Sequence, residues 1–443
     1  MGRLLRPALL TAAALALAVG LTLVAAIALG GRSGSLDSVG PSAAPAVGVA
    51  GRPGVAGDVA SLQARLKAVP GDHRAWSSLA LAYVEQARVT ADPSYYARAD
   101  RAVAEAARRA PGDAALLTAT ASLAAARHDF TAALEAADEA VAANPSGAVA
   151  HEIRSDALTE LGRYGAARRA ATRADDLDPG PSTFARLSYA AELRGDLREA
   201  TRLMRLSRDT ATGSAPAYAF ASFHLGEIAR STGDPAAAAR HYDDALAADP
   251  TYSPALAGRA RLAVADGDVE AALRDYTAVV TRLPLPEYVV ELGELYESLG
   301  RDEEARQQYA VAETSAALAR DNGVGVDLEV ALFEADHGSP AAAVAAARDE
   351  WEARQSVHTA DALGWALHAA GRDREALTYV RQATRLGTRD ARMLFHHGAV
   401  AAALGLDGEA RSHLEAALAV DNGVAPLREG MARDLLDGLG GGR

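Results

Sequence analysis

The chain has 443 residues, is 49% hydrophobic and carries a net charge of −13 at neutral pH. That balance disfavours a general nucleic-acid binder, which needs clustered positive charge against phosphate. The absence of cysteine excludes disulfides, thiolate nucleophiles and cysteine-ligated zinc. Alanine and arginine dominate, and Lys67 is the single lysine. We read that bias as the genomic composition of a G+C-rich bacterium, with alanine also suiting closely packed helices.

Residues 1–6 carry Arg3 and Arg6, and residues 7–31 run without charge. Such a tract exceeds the ~20 residues that a membrane-spanning helix needs. The arginines predict a cytoplasmic start, with the rest of the chain extracytoplasmic. The length favours an uncleaved signal anchor. A cleaved signal peptide, with a late site near Ala44–Ala46, is the competing reading and would give a secreted protein. Residues 32–57, rich in Gly, Ser, Pro and Ala, read as a flexible linker.

Residues 58–422 are built by copying. Asp58 opens a helix with Leu62 and Leu66 on one face, ending at Pro70. Residues 73–112 form a full hairpin with an insertion near residues 89–96. Helix-ending prolines then recur at 111, 145, 179, 216, 250 and 284, four of the five steps being 34 and the other 37. Turn glycines recur at 162, 195, 233, 267, 300, 338, 371 and 405, with His128 in the place of one. A 34-residue period predicts stacked helical hairpins, each burying its apolar face only against the next. Residues 326–354 are the poorest copy, and 357–387 and 391–422 close the array. Residues 423–443 predict a capping helix and tail, with Val424, Leu427, Met431 and Leu435 on one face.

The best copy spans residues 226–250, where Asp234 and Pro235 suit a helix start and Tyr242 lies between Ala238 and Ala245. Leu225, Gly226, Gly233, Ala238, Tyr242, Ala245 and Pro250 resemble the tetratricopeptide repeat. So do Trp76, Leu79, Ala80 and Tyr83; Leu292, Gly293, Tyr296, Gly300, Ala305, Tyr309 and Ala312; and Leu363, Gly364, Gly371, Ala376 and Ala383. The resemblance implies an all-α fold: an α-solenoid of about ten stacked helix-turn-helix repeats behind an N-terminal hydrophobic helix.

Motifs for catalysis or cofactors are missing: no phosphate-binding glycine loop, no H-E-x-x-H and no G-x-S-x-G. His396 and His397 are adjacent, so on a helix they point about 100° apart and do not share a metal. Arg194-Gly195-Asp196 spells an adhesion tripeptide, but Gly-Asp recurs at the turns 233–234 and 267–268 and reads as structural. These features predict a non-enzymatic protein with no cofactor, metal or small-molecule substrate.

In the family, the first helix of each hairpin lines a concave groove. The carried-over register points Glu152, Asp156 and Glu160 inward, then Tyr189, then Phe220, Phe223, Glu227 and Arg230. Glu287, Glu294 and Glu297 follow, then His358, Asp361, Trp365 and His368. Exposed aromatics there would anchor a protein or peptide partner, and the carboxylates would favour one carrying Arg or Lys. The alternative is that Phe220 and Phe223 pack between hairpins. The lysines and asparagines by which some family members clamp a peptide's C-terminal carboxylate are absent at the matching positions. The expected function is a scaffold for protein–protein interaction on the extracytoplasmic side of a bacterial membrane. Alternatives are an assembly or maturation factor for envelope or cytochrome complexes, or a cytoplasmic regulatory protein if the topology inverts.

Overall fold

The computed structural model describes residues 55–440 apart from Ala91, Val326 and Asn422. The expected membrane helix at 7–31 and nearly all of the linker lie outside the described residues. Among the described residues every regular element is a helix, and none is long and apolar enough to cross a membrane.

The helices form ten hairpins between two single helices. Helix α1 (Val55–Ala68) precedes the first hairpin, α2 (His73–Thr90) and α3 (Ser94–Arg109). There follow α4 (Ala114–Ala126) with α5 (Phe130–Ala143), α6 (Ala148–Glu160) with α7 (Tyr164–Leu177), and α8 (Pro181–Glu192) with α9 (Leu197–Thr210). The middle hairpins are α10 (Ala215–Ser231) with α11 (Pro235–Ala248), α12 (Ser253–Ala265) with α13 (Val269–Arg282), and α14 (Pro286–Ser298) with α15 (Asp302–Asp321). The last three are α16 (Asp327–His337) with α17 (Pro340–Ala353), α18 (Val357–Ala369) with α19 (Asp373–Thr384), and α20 (Ala391–Ala403) with α21 (Asp407–Asp421). Helix α22 (Pro426–Gly440) packs on α21 at the end.

Local chemistry sets the turns. At residues 233–234 the glycine takes φ +78, a left-handed value that closes α10. Asp234 then caps α11, accepting the Ala237 N–H at 2.8 Å. Asp196 and Asp268 repeat the device. His128, with φ 64, holds the same conformation without glycine and is stacked on Phe130. The turn at Gly338 differs, because its φ is not left-handed. There the Glu334 carboxylate accepts the Ser339 N–H at 2.7 Å and takes over the turn.

Neighbouring hairpins lock through a large side chain set into glycine. Tyr242 is fully buried, and a Cβ on Gly226 or Gly258 would lie 2.4 or 2.7 Å from its ring. Within single hairpins, Tyr309 against Gly293 and Leu414 against Gly398 repeat the fit.

The array also winds back onto itself. The turn of the second hairpin meets the connection after the seventh, where Gly325 N–H donates to the Arg127 carbonyl at 3.1 Å. The turn of the third meets the connection after the eighth: a Cβ on Gly162 would fall 2.1 Å from the Gln355 carbonyl oxygen. The turn of the fourth meets the connection after the ninth, through Gly195 and Gly387. Each pairing joins elements five hairpins apart, so a second superhelical turn lies on the first. Apolar packing seals it. Tyr83, Tyr96 and Leu123 share one cluster with Ala316, Ala319 and Val324.

This seam gives a direct test. Gly233→Ala meets no neighbour and should cost only the left-handed backbone, about 1 kcal/mol. Gly162→Ala carries the same backbone cost plus the clash with Gln355, and should cost roughly 3 kcal/mol or more. Thermal unfolding followed by circular dichroism separates them; equal losses would mean that the seam is open in solution.

Candidate functional site: a central cavity

The two superhelical turns surround a cavity of about 970 Å³, lined mainly by first helices and the connections between hairpins. Of the expected residues, Glu160, Tyr189, Phe220, Phe223, Glu227, Arg230, Glu287, Glu294 and His358 line it. Phe220 is also buried against the helix core, while Phe223 is half-buried between Tyr242 and Tyr252, ring centroids 6.0 and 6.1 Å away.

The other expected residues lie elsewhere. Glu152 and Asp156 are buried within the wall, where Arg186 of the next hairpin grips both, at 3.0 and 2.8 Å. Ser182 donates to Glu152 as well. Glu297 is exposed and accepts the Tyr309 hydroxyl at 2.8 Å. Trp365 is buried, stacked on His396 with centroids 4.1 Å apart, and donates its indole N–H to Asp336 at 2.6 Å. His368 pairs with Asp373 at 2.5 Å. His396 and His397 are buried with separate partners, Asp361 and Glu409.

The cavity also gathers residues that the register did not select. Glu192 lies three residues after Tyr189 on the same face of α8, so the same reasoning could have found it. Glu291 and Glu329 sit one position beyond the groove-facing place in their hairpins, and the connection residue Arg354 belongs to no groove position. The lining holds thirteen carboxylates against eight arginines, so acid dominates.

The carboxylates divide into two populations. Burial raises the Glu227 pKa, but Arg230 and Arg261 outweigh it, and the Tyr242 hydroxyl donates at 2.5 Å; the carboxyl ends at about 2. Arg261 also reaches Glu291 at 2.8 Å, which accepts the Tyr276 hydroxyl at 3.0 Å. A ladder of charge thus runs through the fifth, sixth and seventh hairpins. Burial instead prevails at Glu192 and Glu329, pushed up to about 7, and at Glu287, pushed up to about 8. Burial pushes the imidazoles of His128 and His224 down to about 4.

Arg354 ties the cavity wall to the seam. It pairs with Glu160 at 2.6 Å and with Glu350, and its guanidinium sits 5.0 Å over the Phe130 ring. Beside it, Val357 N–H donates to the Tyr164 hydroxyl at 2.7 Å, and the Tyr189 hydroxyl and His358 Nε2 hydrogen-bond at 2.9 Å.

A family model described as tetratricopeptide repeat matches residues 118–180, 187–253 and 258–323. These stretches fall within the second to seventh hairpins and support the tetratricopeptide-repeat family for this chain. No curated protein matches it. Among solved structures it is similar to PilW, a type IV pilus biogenesis factor, at 18% identity and TM-score 0.39, over 45% of this chain and 92% of that one. It is similar to PilF of Pseudomonas aeruginosa at 16% and 0.37, over 48% and 93%. Human IFIT1, solved as a dimer with PPP-AAAA, gives 15% and 0.47, over 74% and 77%.

Two expectations follow from the charges. Arg354→Met strands Glu160 and Glu350 in the wall and should destabilise the fold by about 3–5 kcal/mol, read from urea unfolding. The second concerns pH. Glu192, Glu287 and Glu329 keep their protons longer folded than unfolded, so their contribution is lost as pH rises towards about 8. His128 and His224 act oppositely, adding stability as pH rises from about 4 to the ordinary histidine value. Above the ordinary histidine value only the glutamate loss remains, so the melting temperature should fall between pH ~6.5 and pH ~8.5, and Glu287→Gln should flatten the fall. A melting temperature that climbs steadily to pH ~8.5 would refute this balance.

Proposed function

We propose that the protein is a non-catalytic interaction scaffold that takes an extended segment of a partner protein into its central cavity. The cavity carries this reading. It has the volume of a ligand site, it is built from first-helix residues of successive hairpins, and it combines aromatic rings at Phe223, Tyr252 and Tyr288 with a fixed ladder of charge. Aromatic anchors beside oriented polar groups are what short peptide segments dock on. The location we propose is the extracytoplasmic side of a bacterial membrane, on the strength of the charge-free tract at 7–31 behind Arg3 and Arg6.

In-cell crosslinking followed by capture from solubilised native membranes tests the scaffold. Wild type is compared with Phe223→Arg, once circular dichroism shows that the variant keeps its helices. Specific partners should fall about tenfold in the variant, as expected for loss of an aromatic anchor. Identical capture would remove the cavity from partner binding. Reporter fusions at the two ends test the location, and an active cytoplasmic reporter on the solenoid end would overturn it.

A further inference from the structure

The cavity contains more anions than its own cations satisfy. Arg230 pairs with Glu227 at 3.1 Å, Arg261 with Glu291, and Arg354 with Glu160 and Glu350. The arginines nearest the remaining acids are thus already engaged. Glu192, Glu287 and Glu329 line the same cavity, and none of them forms an ion pair among the described residues. Glu287 accepts the Tyr288 hydroxyl. Glu329 Oε2 is buried and has no hydrogen-bond partner among the described residues. An orphaned buried carboxylate oxygen is costly, and a solenoid has ample surface on which to place a glutamate.

We infer that Glu287 and its neighbour Glu329 form the seat for a cationic side chain, arginine or lysine, on the partner segment, with Glu192 a further unpaired acid of the same cavity. This rests on the reading of the cavity as the partner's docking site and names the chemistry that it selects. A guanidinium or ammonium entering here meets carboxylates that no internal cation claims, and the rings of Tyr252 and Tyr288 line the same space for cation–π contact.

Proton release accompanies seating. Without a guest, Glu287 feels Glu291 and Glu329 against Arg261. Glu329 feels Glu350 against Arg354 and Arg392, and Glu192 feels Glu227 and Asp390 against Arg230. In each case burial adds to the like charges, and the carboxyl holds its proton near neutrality. A guest cation favours the ionised forms, so the protons leave as it binds, and binding strengthens as pH rises.

Isothermal titration of the full-length chain in detergent, in two buffers of different ionisation enthalpy, measures both effects. The probes are an arginine-bearing Gly/Ser peptide, the same peptide with glutamine for arginine, and spermine. The arginine peptide should bind with proton release at pH ~7 and about tenfold more tightly at pH ~8.5 than at pH ~6. Glu287→Gln with Glu329→Gln should weaken it about tenfold and reduce the proton release, while Glu303→Gln with Glu304→Gln on the outside should not. The wild-type proton count needs no variant and stands even if the double variant misfolds. Equal binding of the glutamine peptide overturns the cationic seat but leaves the scaffold intact. Binding of neither peptide also overturns the seat, with the scaffold judged separately by capture from membranes. Spermine binding more tightly than the peptide overturns the assignment to a partner side chain and gives the site to a free polyamine.

Discussion

The structure depends on one kind of contact, a ring set where a side chain would otherwise be. Tyr242 occupies the space between Gly226 of its own hairpin and Gly258 of the next, with no room for a Cβ on either. A hairpin alone has two helices and one uncovered apolar face; the neighbour is its core. The same tyrosine reaches the cavity through its hydroxyl, which holds Glu227. Tyr276 does likewise for Glu291, and Tyr309 holds Glu297 outside the cavity. The residues that fix the spacing of hairpins therefore also orient first-helix carboxylates, so packing and electrostatics are set by the same side chains.

Winding back changes the physics of the concave face. In an open solenoid that face is wet, and carboxylates on it would titrate near their ordinary values. Here the third, fourth, eighth and ninth hairpins meet through Gly162, Gly195 and Arg354, and first-helix residues from both turns look into one space. Lower effective dielectric strengthens each ion pair that exists and penalises each charge that has none. This is why Glu227 and Glu287, on the first helices of the fifth and seventh hairpins, lie at opposite ends of the carboxylate range.

The sequence made the periodic part of this legible and left the rest hidden for a physical reason. Turn glycines, capping aspartates and the small residues around Tyr242 act over a few residues, so their spacing exposed the hairpins, the left-handed place of His128 and the closing helix. In the middle hairpins, where neighbours stack regularly, the register placed Phe220, Phe223, Glu227, Arg230 and Glu294 on the cavity. Glu152 and Asp156 show its limit. Their fate is decided by Arg186 in the following hairpin, and nothing in their own repeat announces a guanidinium there. Trp365 and His368 show it again, since Asp336, His396 and Asp373 engage them locally. Contacts between hairpins five apart leave no mark at a 34-residue period, so the seam at Gly325, Gln355 and Gly387 could only be seen in three dimensions.

The charge balance of the interior follows from that seam. Arg354 comes from the connection after the eighth hairpin, yet one of its two carboxylate partners, Glu160, belongs to the third. Engaged there, it is withdrawn from Glu329, which it still influences but does not pair with. Arg261 is similarly committed to the ladder between Glu227 and Glu291, leaving Glu287 with a tyrosine hydroxyl in place of a cation. The arginines that hold the wall together are thus the ones that would otherwise neutralise its inner surface. Closing the superhelix and leaving its cavity short of positive charge are two consequences of the same pairings.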